Sequence, residues 1–549
     1  MVFAWVMIIG STSLLALGGV EDLDRGHRLF LEKGIQLHGL VYDIVWDTTC
    51  KNLFDEAGFT TVHFGQGVYV DGSSVPNTYQ WAQWSFDPNG YHPYTSMLAT
   101  ASHSDEQDIT NPHWLTFYAD WHAQMRTNYP HVISAVHQGG NPGITALQNY
   151  ANVVQPDMVM FDHYVFDSGG TEGGSPTTLY NTMGTYRAVG LGGHDGTGTI
   201  PIPYSMWYQS YRPFGYVLSE SELALQYYAA WAYGYKMLSA FTFSELDNLT
   251  DVTGSVFFDG PPTYENRTAL YFAVQKLNNQ THNLGPALLR LLSTDIRFVR
   301  GQHKEGPSVP LDNNLPNYAQ DWDSQADPYI TNISATNLGG KNAGLRGDVL
   351  VGYYNVLDEE FDGPSEDEIY FMITNGLTDS DGSSLDTEQM IRLDFDFSSS
   401  GISQLQRLDR SSGEVMHVPL EHDGSSQYHL NWNLLGGEGD LFKFDTGAPF
   451  VGALLSGDVN GDGFVGGDDL TIILEYWGQS VTGREQGDLN GDFFVGGDDY
   501  SKVLSHWGEG TPSGLVAIVG TPEPATLALL LLGGLALLRH RSPEPSRRA

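Results

Sequence analysis

Residues 156–164 read PDMVMFDHY. Pro156 and Asp157 make a turn signal, Met158 to Phe161 form a short apolar run, and Asp162, His163 and Tyr164 follow at once. A short apolar run bounded by turn residues marks a strand buried on both faces. Helices cover such a strand, and the polar triplet after it emerges where the strand ends. The stretch therefore implies a helix-covered sheet with chemistry at its strand ends.

The same pattern extends in both directions. GIQLHGLVYD (34–43) and FTTVHFG (59–65) read as strands, with a helix around Thr48 to Ala57 between them. SMLATASH (96–103) leads into the acidic run DEQD (105–108), and NPHWLTFYADWHAQMRTNYP (111–130) is helical. HVISAVHQGG (131–140), PIPYSMWYQSY (201–211) and YKMLSAFTFSE (235–245) are further strands. Between the last two, SESELALQYYAAWAYG (219–234) has a helix signature: Ser219 as N-cap and Glu222 three residues on. Residues 70–92, which carry Trp81 and Trp84, read as a long insertion. About seven strand–helix units come close to the eight of a (β/α)8 TIM-like barrel.

In such a barrel the residues just after each strand gather on one face. Here they are Asp43, His63, Asp105, Glu106, His137, Gln138, Asp162, His163, Tyr164, Trp207, Gln209 and Glu245. Aromatic faces stack on sugar rings, while amides and carboxylates hydrogen-bond hydroxyls, so this set suits a polysaccharide. The chain resembles TIM-barrel glycoside hydrolases of the bacterial surface. The motifs that carry the likeness are the acidic pair after an apolar strand, PDMVMFDHY, and Gly234-Tyr235-Lys236 leading to Phe241-Thr242-Phe243. NRTALYFAVQKLNNQTHNLGPALLRL (266–291) resembles the helix that leads from these barrels into a C-terminal β-domain, and the likeness spans roughly residues 30–445.

Glycoside hydrolysis needs one protonated and one ionised carboxyl group. Glu106 is the acid/base candidate, because a neighbouring Asp105 carboxylate raises the proton affinity of one partner. Gln107 departs from the resembled motif, in which a proline usually follows the glutamate. Glu245 is the nucleophile candidate, and Asp162 suits either role. His63, His137 and His163 lack metal-ligand spacing and read as sugar contacts, together with Gln138, Tyr164 and Gln209. Trp81, Trp84 and Trp207 are the stacking candidates. No G-x-S-x-G elbow is present, which argues against a serine hydrolase.

Residues 295–450 alternate in short runs such as VLVGYYNVL (349–357), EIYFMITNGL (368–377) and MIRLDFDF (390–397), the pattern of a β-sandwich. Beyond it, GDVNGDGFVGGDDLTIILEYWG from Gly457 returns as GDLNGDFFVGGDDYSKVLSHWG from Gly487. Each is a twelve-residue loop followed by a helical stretch. Oxygen donors at loop positions 1, 3, 5 and 12 suit calcium: Asp458, Asn460, Asp462 and Asp469, then Asp488, Asn490, Asp492 and Asp499. Phe464 and Phe494 would add backbone carbonyls. The pair resembles type I dockerin repeats, which implies two Ca2+ sites and a cohesin-like partner. Phe493 replaces the turn glycine that the first loop has at Gly463, so the second site is expected to be weaker.

Lys and Arg number 26 against 66 Asp and Glu, a net charge of −40 that disfavours nucleic acid as a partner. Cys50 is the single cysteine, so no internal disulfide forms. Residues 1–20 are apolar and end in small residues like an export signal, although no Lys or Arg precedes Arg25. TPEPATLALLLLGGLALLRHR (521–541) joins Pro522-Glu523-Pro524 to a short apolar run and an arginine cluster. Its run Ala525–Leu538 spans 14 residues, about 21 Å as a helix against a hydrocarbon core of about 30 Å. It resembles the PEP-CTERM sorting tail, implying an exosortase-type processing enzyme and delivery to the bacterial envelope or surface.

The expected order is thus a signal-like segment (1–20), a barrel with its linker helix (21–294), a sandwich (295–450), dockerin-like repeats (456–510) and a linker with a short apolar C-terminal helix (511–549). The expected function is an exported glycoside hydrolase acting on a polysaccharide. Two alternatives remain: a barrel that binds carbohydrate without cleaving it, and a calcium-dependent assembly protein of the envelope.

Overall fold

The computed structural model describes residues 20–510 except 42–45, 66–79, 91, 93–94, 104–105, 167–175, 245–251, 303–314, 359–368, 399–401, 403, 425, 482 and 492–493. The strands of the first half are β1 (Gln36–Val41), β2 (Thr61–Phe64), β3 (Gln80–Gln83), β4 (Leu98–Ser102), β5 (Ile133–Ala135), β6 (His137–Gly139), β7 (Val159–Asp162), β8 (Tyr204–Gln209), β9 (Tyr211–Pro213), β10 (Met237–Phe241) and β11 (Val252–Ser255). Its helices are α1 (Arg25–Lys33), α2 (Thr48–Glu56), α3 (Pro112–Asn128), α4 (Ile144–Val154), α5 (Pro176–Gly192), α6 (Glu220–Tyr233) and α7 (Ala269–Arg290).

Nine of these strands form one parallel sheet in the order β5-β4-β3-β2-β1-β10-β8-β7-β6, and β9 pairs with β11 in a separate antiparallel ribbon. The two ends of that order, β5 and β6, are successive pieces of one stretch interrupted only at Val136. The first piece pairs with β4 and the second with β7, so an eight-staved ring closes through the chain itself. Asp157, from the turn before β7, ties the two neighbours together. It is buried, accepts from the Ser134 backbone N–H (2.7 Å) and hydroxyl (2.6 Å), and pairs with Arg25 at the start of α1.

The eighth stave was not expected. β3 lies inside residues 70–92, read above as an insertion, and pairs with both β2 and β4. The helical half is less regular than a full (β/α)8 pattern: β3 reaches β4 with only a 3-10 turn, Thr95–Met97, among the described residues. The interior also holds a polar layer. Gln36 donates to Gln80 Oε1 at 3.0 Å, and Thr61 donates to Gln36 Oε1 at 2.9 Å.

α6 starts as its sequence signature implies. Ser219 Oγ accepts from the Glu222 N–H, and the Glu222 carboxylate accepts from the Ser219 N–H in return. Tyr216 donates its hydroxyl to the same carboxyl group at 2.7 and 2.9 Å. Every residue from Ser221 to Tyr233 is buried, because α6 has the barrel on one side and a second sheet on the other.

That second sheet begins at Leu291, directly after α7, a few residues before the boundary expected at 295. Its central strands Leu291–Val299, Val349–Val356, Tyr370–Asn375 and Gly439–Phe444 pair antiparallel. A four-stranded sheet built on Ile330–Asn337, Gln389–Asp396 and Gln427–Leu434 faces it. Gln389–Asp396 alternates buried and half-buried along its length, as a strand covered on one face does. Ile333, Ile391 and Phe395 of the smaller sheet share one core with Val351, Phe371 and Phe442 of the larger, which makes a sandwich. A Cβ on Gly352 would lie 2.1 Å from the Ala232 carbonyl of α6, so only glycine fits where the sandwich meets the barrel. Tyr354 donates to the Trp231 carbonyl there (2.8 Å), and Glu438 binds Lys276 of α7 (2.5 Å) and Arg410 (2.6 Å).

Residues 456–510 form two matching loop–helix units with helices Gly467–Glu475 and Gly497–Ser505. Val459, Val465 and Ile473 are buried with their counterparts thirty residues on, Leu489, Val495 and Val503. The loop carboxylates are turned to backbone donors. Asp458 accepts from Gly461, Asp462 and Gly463, and Asp469 accepts from Val459, Asn460 and Gly466. Asp488 and Asp499 repeat this with Gly491, Leu489 and Gly496. Among the described residues no three His, Cys, Asp or Glu side chains gather as a metal-ligand set. Asp492 lies outside the described residues, as does the expected apolar helix with Pro522, Glu523 and Pro524. Among the described residues no helix is long and apolar enough to cross a membrane.

Burial raises the Glu222 carboxyl from 4.5 to about 7, against the lowering effect of its Ser219 and Tyr216 hydrogen bonds. Folding therefore favours the protonated acid, a contribution complete below about pH 4.5 and lost as pH rises through about 7. Glu222→Gln keeps the capping pattern and removes the titration. Its Tm should gain on wild type as pH rises from 4.5 to 7, which thermal unfolding across that window would measure.

Candidate functional site

The cleft opens where the parallel strands end. Glu106, Gln107, Gln138, Gly139, Asp162, His163 and Tyr164 line it, together with Ile109 and Thr110, around a volume of about 410 Å³. Glu106 sits four residues past β4, exposed, with a left-handed backbone (φ 48°). Its carboxyl group rests over Gly139: a Cβ there would be 2.8 Å from Glu106 Cδ and 3.0 and 3.1 Å from its two oxygens. Gly139 closes β6 in register with Asp162, the last residue of β7. Glu106 and Asp108 from the loop after β4 and Asp162 from the end of β7 therefore share one rim, and the missing side chain of Gly139 is the space that admits Glu106.

Other expected residues divide between this cleft and the barrel interior. His163 is half-buried, with Nδ1 2.8 Å from the Thr182 hydroxyl and its pKa lowered by burial. Tyr164 stacks on Phe241 at 5.3 Å between ring centroids. His63, Trp84, His137 and Trp207 instead pack on one another inside the barrel mouth. His63 lies 5.1 Å from Trp207, and Trp84 lies 5.0 Å from His137. Burial, then the neighbours His38 and His137, hold His63 neutral by pushing its pKa well below 6.5. Both His63 ring nitrogens, Trp207 Nε1, Ser102 Oγ and Ser239 Oγ are buried there without a hydrogen-bond partner. Such atoms are costly unless a water or a ligand hydroxyl meets them.

Two expectations are corrected. Trp81 points away from the mouth, is 1% exposed and packs near Phe64, so neither ring face is open to a sugar. Gln209 is fully buried and its amide is closed on Phe166, accepting from the backbone N–H (3.0 Å) and donating to the carbonyl (2.7 Å). It braces the loop after β7 rather than facing substrate. Glu245 lies outside the described residues, as does Asp105.

Tyr186 of α5 was not anticipated. Its hydroxyl lies 3.5 Å from the Gly140 carbonyl, and its proton is held by burial and then by the nearby charges of Asp162, Tyr150 and Glu106. Nothing in its helical surroundings, MGTYRAVG (183–190), signals this role.

No protein-family model matches the chain, and no curated protein does. Solved structures do. Those it is similar to include three glycoside hydrolases, each at 10% identity or less and with a TM-score below 0.5. One is an endo-β-1,4-mannanase from Thermotoga petrophila, at 8% identity and TM-score 0.35, covering 63% of this chain and 96% of that one. A β-galactosidase from Bacillus circulans sp. alkalophilus has 10% identity and TM-score 0.42, covering 75% and 99%. A family 51 α-L-arabinofuranosidase from Bifidobacterium longum has 10% identity and TM-score 0.33, covering 78% and 97%.

The burial of Trp81 has a measurable consequence. Trp81→Ala should lower unfolding stability by about 3–5 kcal/mol, the cost of emptying an aromatic core site. Denaturant titration would detect it; an unaltered midpoint would mean that Trp81 is free of the core.

Proposed function

We propose that the barrel hydrolyses O-glycosidic bonds of a polysaccharide, with Glu106 as acid/base and Asp162 as its carboxylate partner. The observation that carries this is the seating of the Glu106 carboxyl group over Gly139, the ladder neighbour of Asp162. One carboxyl group would protonate the leaving oxygen while the other, ionised, attacks the anomeric carbon or activates water. Tyr186 keeps its proton beside this rim, its hydroxyl directed to the Gly140 carbonyl at 3.5 Å. Glu245, four residues after β10, is the alternative to Asp162 as nucleophile, and His163 and Tyr164 are the proposed sugar contacts.

The exposure of Glu106 favours a second reading, carbohydrate binding without turnover. A general acid usually draws its proton affinity from an apolar pocket, and this carboxyl group is open to solvent. Glu106→Gln and Asp162→Asn, with Tm held near wild type, should each lower turnover of a responsive glycan by about 10²–10⁴-fold. Gly139→Ala should do the same by displacing Glu106. Product analysis over a polysaccharide panel is the measurement: full activity in all three variants removes the carboxylate pair, and retention of glycan without product selects the binding reading.

For residues 456–510 the proposed ligand is Ca2+. The donors are all oxygen, and Asp458 is buried beside Asp469, which together raise its pKa; a divalent cation would offset that repulsion. Calcium at about 100 times its Kd should stabilise the module by about 2.7 kcal/mol. Asp469→Ala should abolish the gain, read as the Tm difference between calcium and chelator. Export, processing of the 521–541 tail by an exosortase-type enzyme with delivery to the bacterial surface, and docking to a cohesin-like partner complete the proposal.

A further inference from the structure

Beside the cleft lies a second, open surface depression of about 450 Å³, bordered by the start of α4 and by the loop after β4. The two share Ile109, Thr110 and Pro142, so they adjoin along the loop that carries Glu106. Both volumes fall in the range of ligand sites. Apolar surface from Ile109, Pro142, Ile144 and Ala146 alternates in the second depression with the hydrogen-bonding side chains of Thr110, Thr145 and Asn149. None of its lining residues is charged. The first turn of α4 enters the depression after Gly143, which provides no side-chain cap. Backbone N–H groups there are available to acceptor oxygens.

An uncharged wall that mixes hydrocarbon with hydroxyl and amide groups matches a neutral sugar ring, whose faces are apolar and whose rim is hydroxylated. We propose that the second depression is a further sugar subsite, so that the site takes a neutral glycan chain of several units rather than a small single glycoside. This rests on the glycoside reading of the Glu106–Asp162 cleft and extends it. The chain would run from that cleft over Ile109 and Pro142 to the open end of α4.

Calorimetric titration of the full-length protein with xylo-, manno- and cello-oligosaccharide ladders of two to six units tests it. Affinity for at least one ladder should rise about tenfold or more between two and four units, the worth of about 1.4 kcal/mol of added contact. Ile144→Arg, which fills the depression from an exposed position, should bring that ratio close to one, and Ile144→Val should preserve it. A ratio near one in the wild type, or a gain that survives Ile144→Arg, overturns the subsite. Product formation is scored separately: ladders bound with a length-dependent gain but never cleaved leave the subsite standing and remove hydrolysis. Failure to bind any ladder overturns both.

Discussion

The stretch Ile133–Gly139 has to satisfy two neighbours at once. Its first half hydrogen-bonds β4 and its second half β7, with Val136 as the only break. Without this shared stave the sheet would have two open edges. With it, the end of β6 is held in register with the end of β7, under the loop that follows β4. Gly139, Asp162 and Glu106 converge for that reason, although 56 residues separate the outer two in sequence (162 − 106). Asp157 and Arg25 secure the same junction at the opposite end of the strands.

The interior of the ring sets two demands against each other. At one end Gln36, Thr61 and Gln80 close their hydrogen bonds among themselves. Toward the mouth, buried groups on His63, Trp207, Ser102 and Ser239 find no such partners. A low-dielectric interior makes each unmet group costly, so the satisfied layer supplies rigidity and the unsatisfied one calls for water or another hydrogen-bonding group. The neutral state of His63 agrees with this, since burial and its neighbours His38 and His137 all disfavour a charged imidazole.

Much of the fold could be read from residue pattern alone. PDMVMFDHY forms a barrel strand ending at Asp162, SESEL caps α6, and VLVGYYNVL, EIYFMITNGL and MIRLDFDF each supply a sandwich strand. β3 escaped because its four residues, Gln-Trp-Ala-Gln, include a glutamine that serves the interior polar layer, so no apolar run announces it. The site was legible in kind and less so in detail. Strand-end position located Glu106, Asp162, His163 and Tyr164, but it cannot tell an outward stave residue such as Trp81 from an inward one such as Trp84. Nor can it show that an amide like that of Gln209 is already engaged. The first distinction depends on which side of a strand faces the ring, which a one-residue change of phase reverses; the second depends on a contact with Phe166, 43 residues away in sequence. Gly139 carries no side chain to notice, and its importance lies in what occupies the space.

A helix normally keeps one face for solvent, and that face is where domains can be parted. α6 has none: from Ser221 to Tyr233 it is enclosed by the barrel and, at Gly352 and Tyr354, by the larger sheet of the sandwich. The junction between barrel and sandwich is therefore not a seam. Excising either half would uncover a helix that is buried along its whole length, so barrel and sandwich are expected to unfold as one cooperative unit.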